Sequence, residues 1–120
     1  MSRIRLYLDE DSMRKSLVFG SRARNVDVLT AAVADMINRE EEEHLTAASA
    51  AGRTLFTYNV GDCCALHQRC MSEGRTHAGI IVTPQQQYSL GEELRRIMRL
   101  YSRRKAEQMP NRLEFISSWA

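Results

Sequence analysis

The sequence predicts a doubly wound α/β domain, in which helices cover both faces of a mostly parallel four- or five-stranded sheet. Short β-rich runs alternate with helical stretches along the 120 residues, and such alternation is typical of βαβ units. The runs Leu55-Phe56 and Ile80-Ile81-Val82 are apolar without alternation, as expected for strands buried on both faces. With 43% hydrophobic residues, a chain of this length favours one compact domain over residues 1–120.

Four strands are predicted from short runs rich in β-branched, aromatic and leucine side chains. They span residues 4–8, 26–29, 54–57 and 79–82. The last of them stops at Thr83-Pro84, because proline cannot donate to a strand ladder. For residues 113–119 we expect either an edge strand or a short helix, since their periodicity does not decide between the two.

Four helices are predicted between and after these strands. The first follows the acidic turn at positions 9–12, spans 13–24 and ends at Asn25, a residue that tolerates the left-handed conformation of a helix end. The next two span 40–51 and 62–72; Gly52 closes the first of them, and the second ends at Glu73-Gly74. The fourth is amphipathic, and its apolar stripe consists of Leu90, Leu94, Ile97, Met98 and Tyr101.

The sequence favours a cytoplasmic protein without a membrane partner. No run approaches the roughly 18 apolar residues that a membrane helix needs. The N-terminus lacks the apolar core of a signal peptide, because charges follow at once in Asp9 and Glu10. The cysteines Cys63, Cys64 and Cys70 lie within eight positions, and this odd number fits reduced thiols better than a disulfide framework.

The net charge of +2 conceals a polarised distribution of charged residues. Residues 95–112 hold seven basic residues and one acid, so that segment is +6 and the remainder is −4. On the fourth helix, Arg95, Arg99 and Arg103 recur at every fourth position, with Arg104 beside them. Because the apolar stripe faces the core, this basic row faces solvent. It is either an ordinary solvated face or a surface that follows a phosphate backbone.

Acidic and amide side chains collect where the predicted strands end. Asp9, Glu10 and Asp11 follow the first strand, and Asn59 and Asp62 follow the third. Four glutamates at positions 40–43 begin the helix that precedes the third strand. In open parallel sheets, ligand sites form at the carboxyl ends of the strands. Oxygen donors of this kind suit Mg²⁺ or Mn²⁺, although each group also serves as an ordinary helix cap or first turn.

A zinc site is an alternative reading of the third helix. Cys63, His67 and Cys70 have the spacing i, i+4, i+7 and share one helix face, and His77 could complete a set of four ligands. The chain has no Cys-x-x-Cys pair. Soft side chains on one helix face are more often core residues, because cysteine is among the most buried residue types.

Five short motifs in a fixed order carry a family resemblance. They are L-Y-L-D-E-D-S after the first strand, R-x-x-x-V-D-V-L at 22–29, E-E-E-H-L at 41–45, G-R-T-L-F-T-Y-N-V-G-D at 52–62 and H-A-G-I-I at 77–81. In these motifs the chain resembles the short bacterial PIN-like proteins related to toxin ribonucleases. The likeness covers nearly the whole chain, and most of its specificity comes from the order and spacing of the motifs.

The resemblance implies a PIN-like fold and a Mg²⁺- or Mn²⁺-dependent endoribonuclease that cleaves single-stranded RNA. By likeness, the catalytic acids are Asp9, Glu41 and Asp62. The residues that would hold the metal are Asp9, Asp11, Glu41, Glu42, Asn59 and Asp62. The resemblance further implies the toxin of a toxin–antitoxin pair, with an antitoxin protein and a second copy of the chain as partners. Arg95, Arg99, Arg103 and Arg104 would hold the RNA backbone.

One departure from the family pattern supports a second hypothesis. Residues 57–62 resemble the T-x-D-x-D-F turn of the family, but Asn59 stands where an aspartate is usual, and one residue is inserted. Asn59 removes one negative charge from the expected metal site. The alternative is therefore a PIN-like module that binds nucleic acid or a partner protein and cleaves neither.

Overall fold

The computed structural model describes residues 3–9, 15–31, 33–34, 40–84 and 87–119. They form an α/β fold with a five-stranded sheet whose strands are all parallel, in the order β2-β1-β3-β4-β5. The strands are β1 (Arg5–Leu8), β2 (Asp27–Thr30), β3 (Thr54–Thr57), β4 (Ile80–Val82) and β5 (Leu113–Phe115). The predicted parallel α/β architecture is confirmed, and the sheet has five strands.

Four α-helices connect and cover the strands. They are α1 (Lys15–Ala23), α2 (Glu41–Ala50), α3 (Val60–Ser72) and α4 (Leu90–Arg103). The predicted stop at Asn25 is confirmed, since this residue adopts a φ of 65°. The start of α3 was predicted two residues too late, because Asn59 precedes the helix and takes the capping position expected of Asp62.

The tail after α4 contains both of the structures that the sequence left open. Leu113–Phe115 pairs with β4 as an edge strand, and Ile116–Ser118 then forms a single 3₁₀ turn. A second 3₁₀ turn, Ala106–Gln108, lies before the strand. The segment is too short for either structure to show a period of its own, and its pairing with β4 decides the outcome.

The sheet separates two hydrophobic cores, which form the layers of the fold. On one face, Leu6, Leu8 and Phe56 pack with residues of α1 and α4. On the other face, Tyr7 and Leu55 pack with residues of α2 and α3. Successive residues of a strand point to opposite faces, so α1 and α4 cover one side of the sheet and α2 and α3 cover the other.

Within the part of the chain that is described, no helix is long and apolar enough to cross a membrane.

Candidate functional site at the carboxyl edge of the sheet

Asp9 lies just beyond β1, at the edge where the parallel strands end, and its side chain is fully buried. The neighbouring strand supplies a partner, because the Thr57 hydroxyl donates a hydrogen bond of 2.7 Å to Asp9 Oδ2. Thr57 Oγ1 also accepts the backbone N–H of Asn59 at 3.0 Å. This chain of hydrogen bonds fixes the carboxyl group of Asp9 at the end of the adjacent strands β1 and β3.

Glu41 brings a second carboxyl group to Asp9 from the first turn of α2. The two side chains form a hydrogen bond to each other, which requires that one of them carry a proton. Burial, and then the hydrogen bond to Asp9, raise the pKa of Glu41 from 4.5 to about 8. Two adjacent carboxylates repel each other unless a proton or a cation lies between them.

Two donors from the start of α3 hold the carboxyl group of Glu41 in place. Asn59 Nδ2 donates to Glu41 Oε1 at 3.2 Å, and the Cys63 thiol donates to Oε2 at 3.6 Å. Cys63 is completely buried. Burial, together with the nearby charge of Glu41, raises the pKa of the Cys63 thiol far above its ordinary value, so it remains protonated at neutral pH.

Three of the residues that were predicted as metal ligands thus meet in one site, namely Asp9, Glu41 and Asn59. Glu42 points elsewhere and forms salt bridges of 3.0 Å with Arg69 and with Arg75. The hydrogen bond from Arg75 and the charge of Arg69 lower its pKa. Asp62 is exposed in the first turn of α3 and has no hydrogen bond or ion pair among the described residues. Asp11 lies outside the described residues.

The ligand set of the zinc alternative is not assembled. Cys63 faces Glu41, whereas His67 Nδ1 and His77 Nε2 form a hydrogen bond of 2.9 Å with each other. His77 Nδ1 accepts the backbone N–H of Gly79 at 3.0 Å. That bond places the proton of neutral His77 on Nε2, the nitrogen that a metal ion would need. Among the described residues, no three His, Cys, Asp or Glu side chains are grouped so that they could hold a metal ion.

The four arginines predicted to contact nucleic acid differ in their surroundings. Arg95 forms two hydrogen bonds with Glu92, and Arg104 pairs with Glu114 and stacks over Trp119. Arg99 and Arg103 are exposed and pair with no acid among the described residues. All four lie on α4 or directly after it, on the opposite side of the sheet from Glu41.

Sequence reasoning missed Thr57 and the role of Cys63. Thr57 is the last residue of β3 and lies on the same sheet face as Asp9, so the alternation of the two strands contains the signal for this contact. The direction of Cys63 toward Glu41 depends on how α2 and α3 pack. No local pattern in the sequence reports that packing.

Comparison with known protein families, with curated proteins and with solved structures finds no match to this chain.

Proposed function

We propose that the protein is a metal-dependent endoribonuclease that cleaves single-stranded RNA with Mg²⁺ or Mn²⁺ at the carboxyl edge of its sheet. The observation that carries this proposal is the meeting of two carboxyl groups, the buried one of Asp9 and the half-buried one of Glu41, which form a hydrogen bond to each other. The PIN-like resemblance adds the class of substrate and the role of a toxin in a toxin–antitoxin pair.

The residues at this site fit a hard divalent cation. Asp9 and Glu41 supply carboxylate oxygens and Asn59 supplies an amide oxygen, while Mg²⁺ commonly takes only one or two carboxylates and keeps several waters. When bound, such a cation would lower the pKa of a water molecule and offset negative charge on a phosphate. Without it, the two carboxylates would repel RNA.

The chain's own side chains prepare the site for this role. Thr57 holds Asp9 through its hydroxyl, and Asn59 and Cys63 hold the two oxygens of Glu41. To accept a cation, the pair must lose its shared proton, which leaves from Glu41 at a pH near its pKa of about 8. Activity should therefore rise with pH through the neutral range.

The second candidate function is a PIN-like module that binds nucleic acid or protein without cleaving it. Two observations favour it: Asn59 replaces a carboxylate, and the side chain of Asp62 is exposed with no hydrogen bond to Asp9 or Glu41. Only two carboxyl groups then meet among the described residues. A site with fewer negative charges holds a cation more weakly, so these two observations bear on whether the protein cleaves RNA.

Cleavage of labelled single-stranded RNA with Mn²⁺ distinguishes the two functions. We expect the wild-type protein to cleave, and the variants Asp9→Asn and Glu41→Gln to lose at least about 100-fold in rate, because each removes a charge that holds the cation. Chelation with EDTA should abolish cleavage by the wild-type protein.

Asp62→Asn is the matched control, since it removes a carboxylate that the structure places at the surface. We expect it to retain most of the activity. Equal cleavage by the wild type and by both site variants would show that a contaminant is responsible and would refute the proposal. Salt-sensitive RNA binding without cleavage by any variant would support the binding module instead.

A further inference from the structure

The proposed carboxyl site gives no role to the outer surface of the layer that α1 and α4 form. The two helices pack closely where Gly20 faces Leu94, since a Cβ atom on Gly20 would lie 2.7 Å from Leu94 Cδ1. Asn25, after the end of α1, accepts a hydrogen bond from Tyr101 near the end of α4. The helices therefore run side by side in the same direction along the sheet.

Phe19 is unusual on this surface because 66% of it is exposed to solvent. Its neighbours Leu17 and Ser21 are buried toward the sheet, and helical geometry places Phe19 on the side away from them. A large exposed aromatic residue costs hydration free energy without contributing to the core. The ring is therefore accessible to a ligand at the surface.

Three exposed arginines belong to the same helical layer as Phe19. Arg24 reaches back over α1 and donates to the carbonyl oxygen of Gly20 at 2.9 Å. Arg99 and Arg103 are exposed on α4, one helical turn apart. None of these three arginines forms a salt bridge with the acids of the described ranges. An exposed ring and exposed guanidinium groups on one helical layer match single-stranded nucleic acid, which offers flat bases and regularly spaced phosphates.

We infer that Phe19, Arg24, Arg99 and Arg103 form a platform for single-stranded RNA, on which a base stacks against Phe19 and the arginines contact the phosphates. The platform lies on the face of the sheet opposite the carboxyl pair, so it holds a part of the strand remote from the bond that is cut. The inference rests on the proposed function for its ligand class, but it does not require cleavage.

Binding of a labelled single-stranded oligouridine in EDTA, measured by fluorescence anisotropy, tests the platform. We expect Phe19→Ser to weaken binding by roughly 5- to 150-fold, the range for losing one base stack, and Phe19→Trp to retain it. The double variant Arg99→Gln/Arg103→Gln should reduce the slope of log K against log salt by about 1.4, since each phosphate contact on a single strand contributes about 0.7.

Two matched controls lie elsewhere on the surface. Phe115→Ser changes an aromatic residue that is 40% exposed on the edge strand, and Arg69→Gln removes a positive charge from α3. Both should bind as the wild type does. Inorganic polyphosphate serves as a ligand without bases, and Phe19→Ser should bind it with unchanged affinity.

Three results would overturn the inference. The first is unchanged RNA binding by Phe19→Ser, and the second is an equal loss of its affinity for RNA and for polyphosphate, which would mean that no base stacks on the ring. The third is a change in molar mass by light scattering in Phe19→Ser with unaltered RNA affinity, which would make the surface a contact between copies. Because no divalent cation is present, failure of cleavage and failure of the platform are separate results.

Discussion

At the scale of single residues, one proton decides the state of the candidate site. Glu41 keeps its proton up to a pH near 8 because burial and Asp9 both disfavour its charged form. In the unfolded chain the same group titrates at 4.5. Between these two pH values, the folded protein therefore holds a proton that the unfolded chain has already released. A cation must displace this proton in order to bind.

The pH dependence of folding stability should report this proton in the metal-free protein. The contribution of Glu41 is fully present below pH 4.5 and is lost as the pH rises to about 8, because the unfolded state then binds fewer protons than the folded state. Glu41→Gln mimics the protonated form, so its stability relative to the wild type should increase from pH 5 to pH 9. Urea unfolding measures this difference.

Glu40→Gln is the control, since Glu40 is exposed and its side chain caps no backbone N–H. Its stability difference from the wild type should not vary with pH. Added Mg²⁺ should stabilise the wild-type protein more at pH 9 than at pH 6, because protons and the cation compete for the same carboxyl pair. A constant difference between Glu41→Gln and the wild type would contradict the raised pKa.

The sequence located three members of the candidate site but could not choose among neighbouring acids. Asp9 and Asn59 follow strands of a parallel sheet, and that topology alone brings them to one edge. Glu41 and Glu42 differ by about 100° around α2, and only the packing of that helix shows that Glu42 turns toward Arg69 and Arg75.

At the scale of elements, the entrance to β4 is fixed by contacts that reach it from two directions. His77 is 4% exposed, and it bonds to His67 of α3 through its side chain. Its backbone N–H donates to Asn111 Oδ1, just before β5. Two residues later, Gly79 has a φ of 112° and lies against Met109. These contacts join α3 and the last crossover to one point of the sheet.

Acidification should weaken this junction through His77. Burial, and then the nearby His67, lower the pKa of His77 from 6.5 to about 4. The contribution of neutral His77 to the free energy of unfolding is therefore fully present above pH 6.5. It is lost as the pH falls toward 4, by at most about 3 kcal/mol. His77→Asn cannot titrate, so its stability should fall less between pH 7 and pH 4. Denaturant unfolding at the two pH values checks this, and an equal fall in both proteins would refute it.

Gly79→Ala tests the strained backbone at the same point. The new Cβ atom would lie 2.7 Å from the carbonyl oxygen of Met109, and a φ of 112° disfavours any side chain. We expect a loss of at least about 2 kcal/mol in the free energy of unfolding. Gly61→Ala in α3 is the matched control, because nothing lies within 4 Å of its Cβ position. It should be neutral or stabilise by up to about 1 kcal/mol.

The elements that sequence patterns predicted best are those with a repeated pattern. In α4, the stripe that includes Leu94, Ile97 and Tyr101 is buried as expected. Glu93 is also buried there, bonded to the hydroxyl of Tyr58, and a binary pattern of apolar and polar residues cannot anticipate such a pair. The tail formed a strand because β4 offered a free edge, which is information that the tail itself does not contain.

At the scale of the whole molecule, the structure shows which part of the basic charge is available to a ligand. The +6 of residues 95–112 is a count along the chain. In the folded structure, Glu92 forms salt bridges with Arg95 and Arg96, and Glu114 forms salt bridges with Arg104 and Arg112. Lys105 also has an interaction partner. Arg99 and Arg103 therefore remain among the described residues, on the opposite side of the sheet from the carboxyl pair. The two charged features of the sequence are therefore separate surfaces.

The strand order also affects how the chain folds during its synthesis. All neighbouring strands are parallel, so none pairs through a tight hairpin, and each must wait for a crossover to be completed. The hydrogen bond from Thr57 to Asp9 joins residues 48 positions apart. Since distant contacts form slowly, Asp9 is synthesised long before its partners and acquires them only with the sheet. A nascent chain therefore cannot form the candidate site until β3 has been synthesised and has joined the sheet.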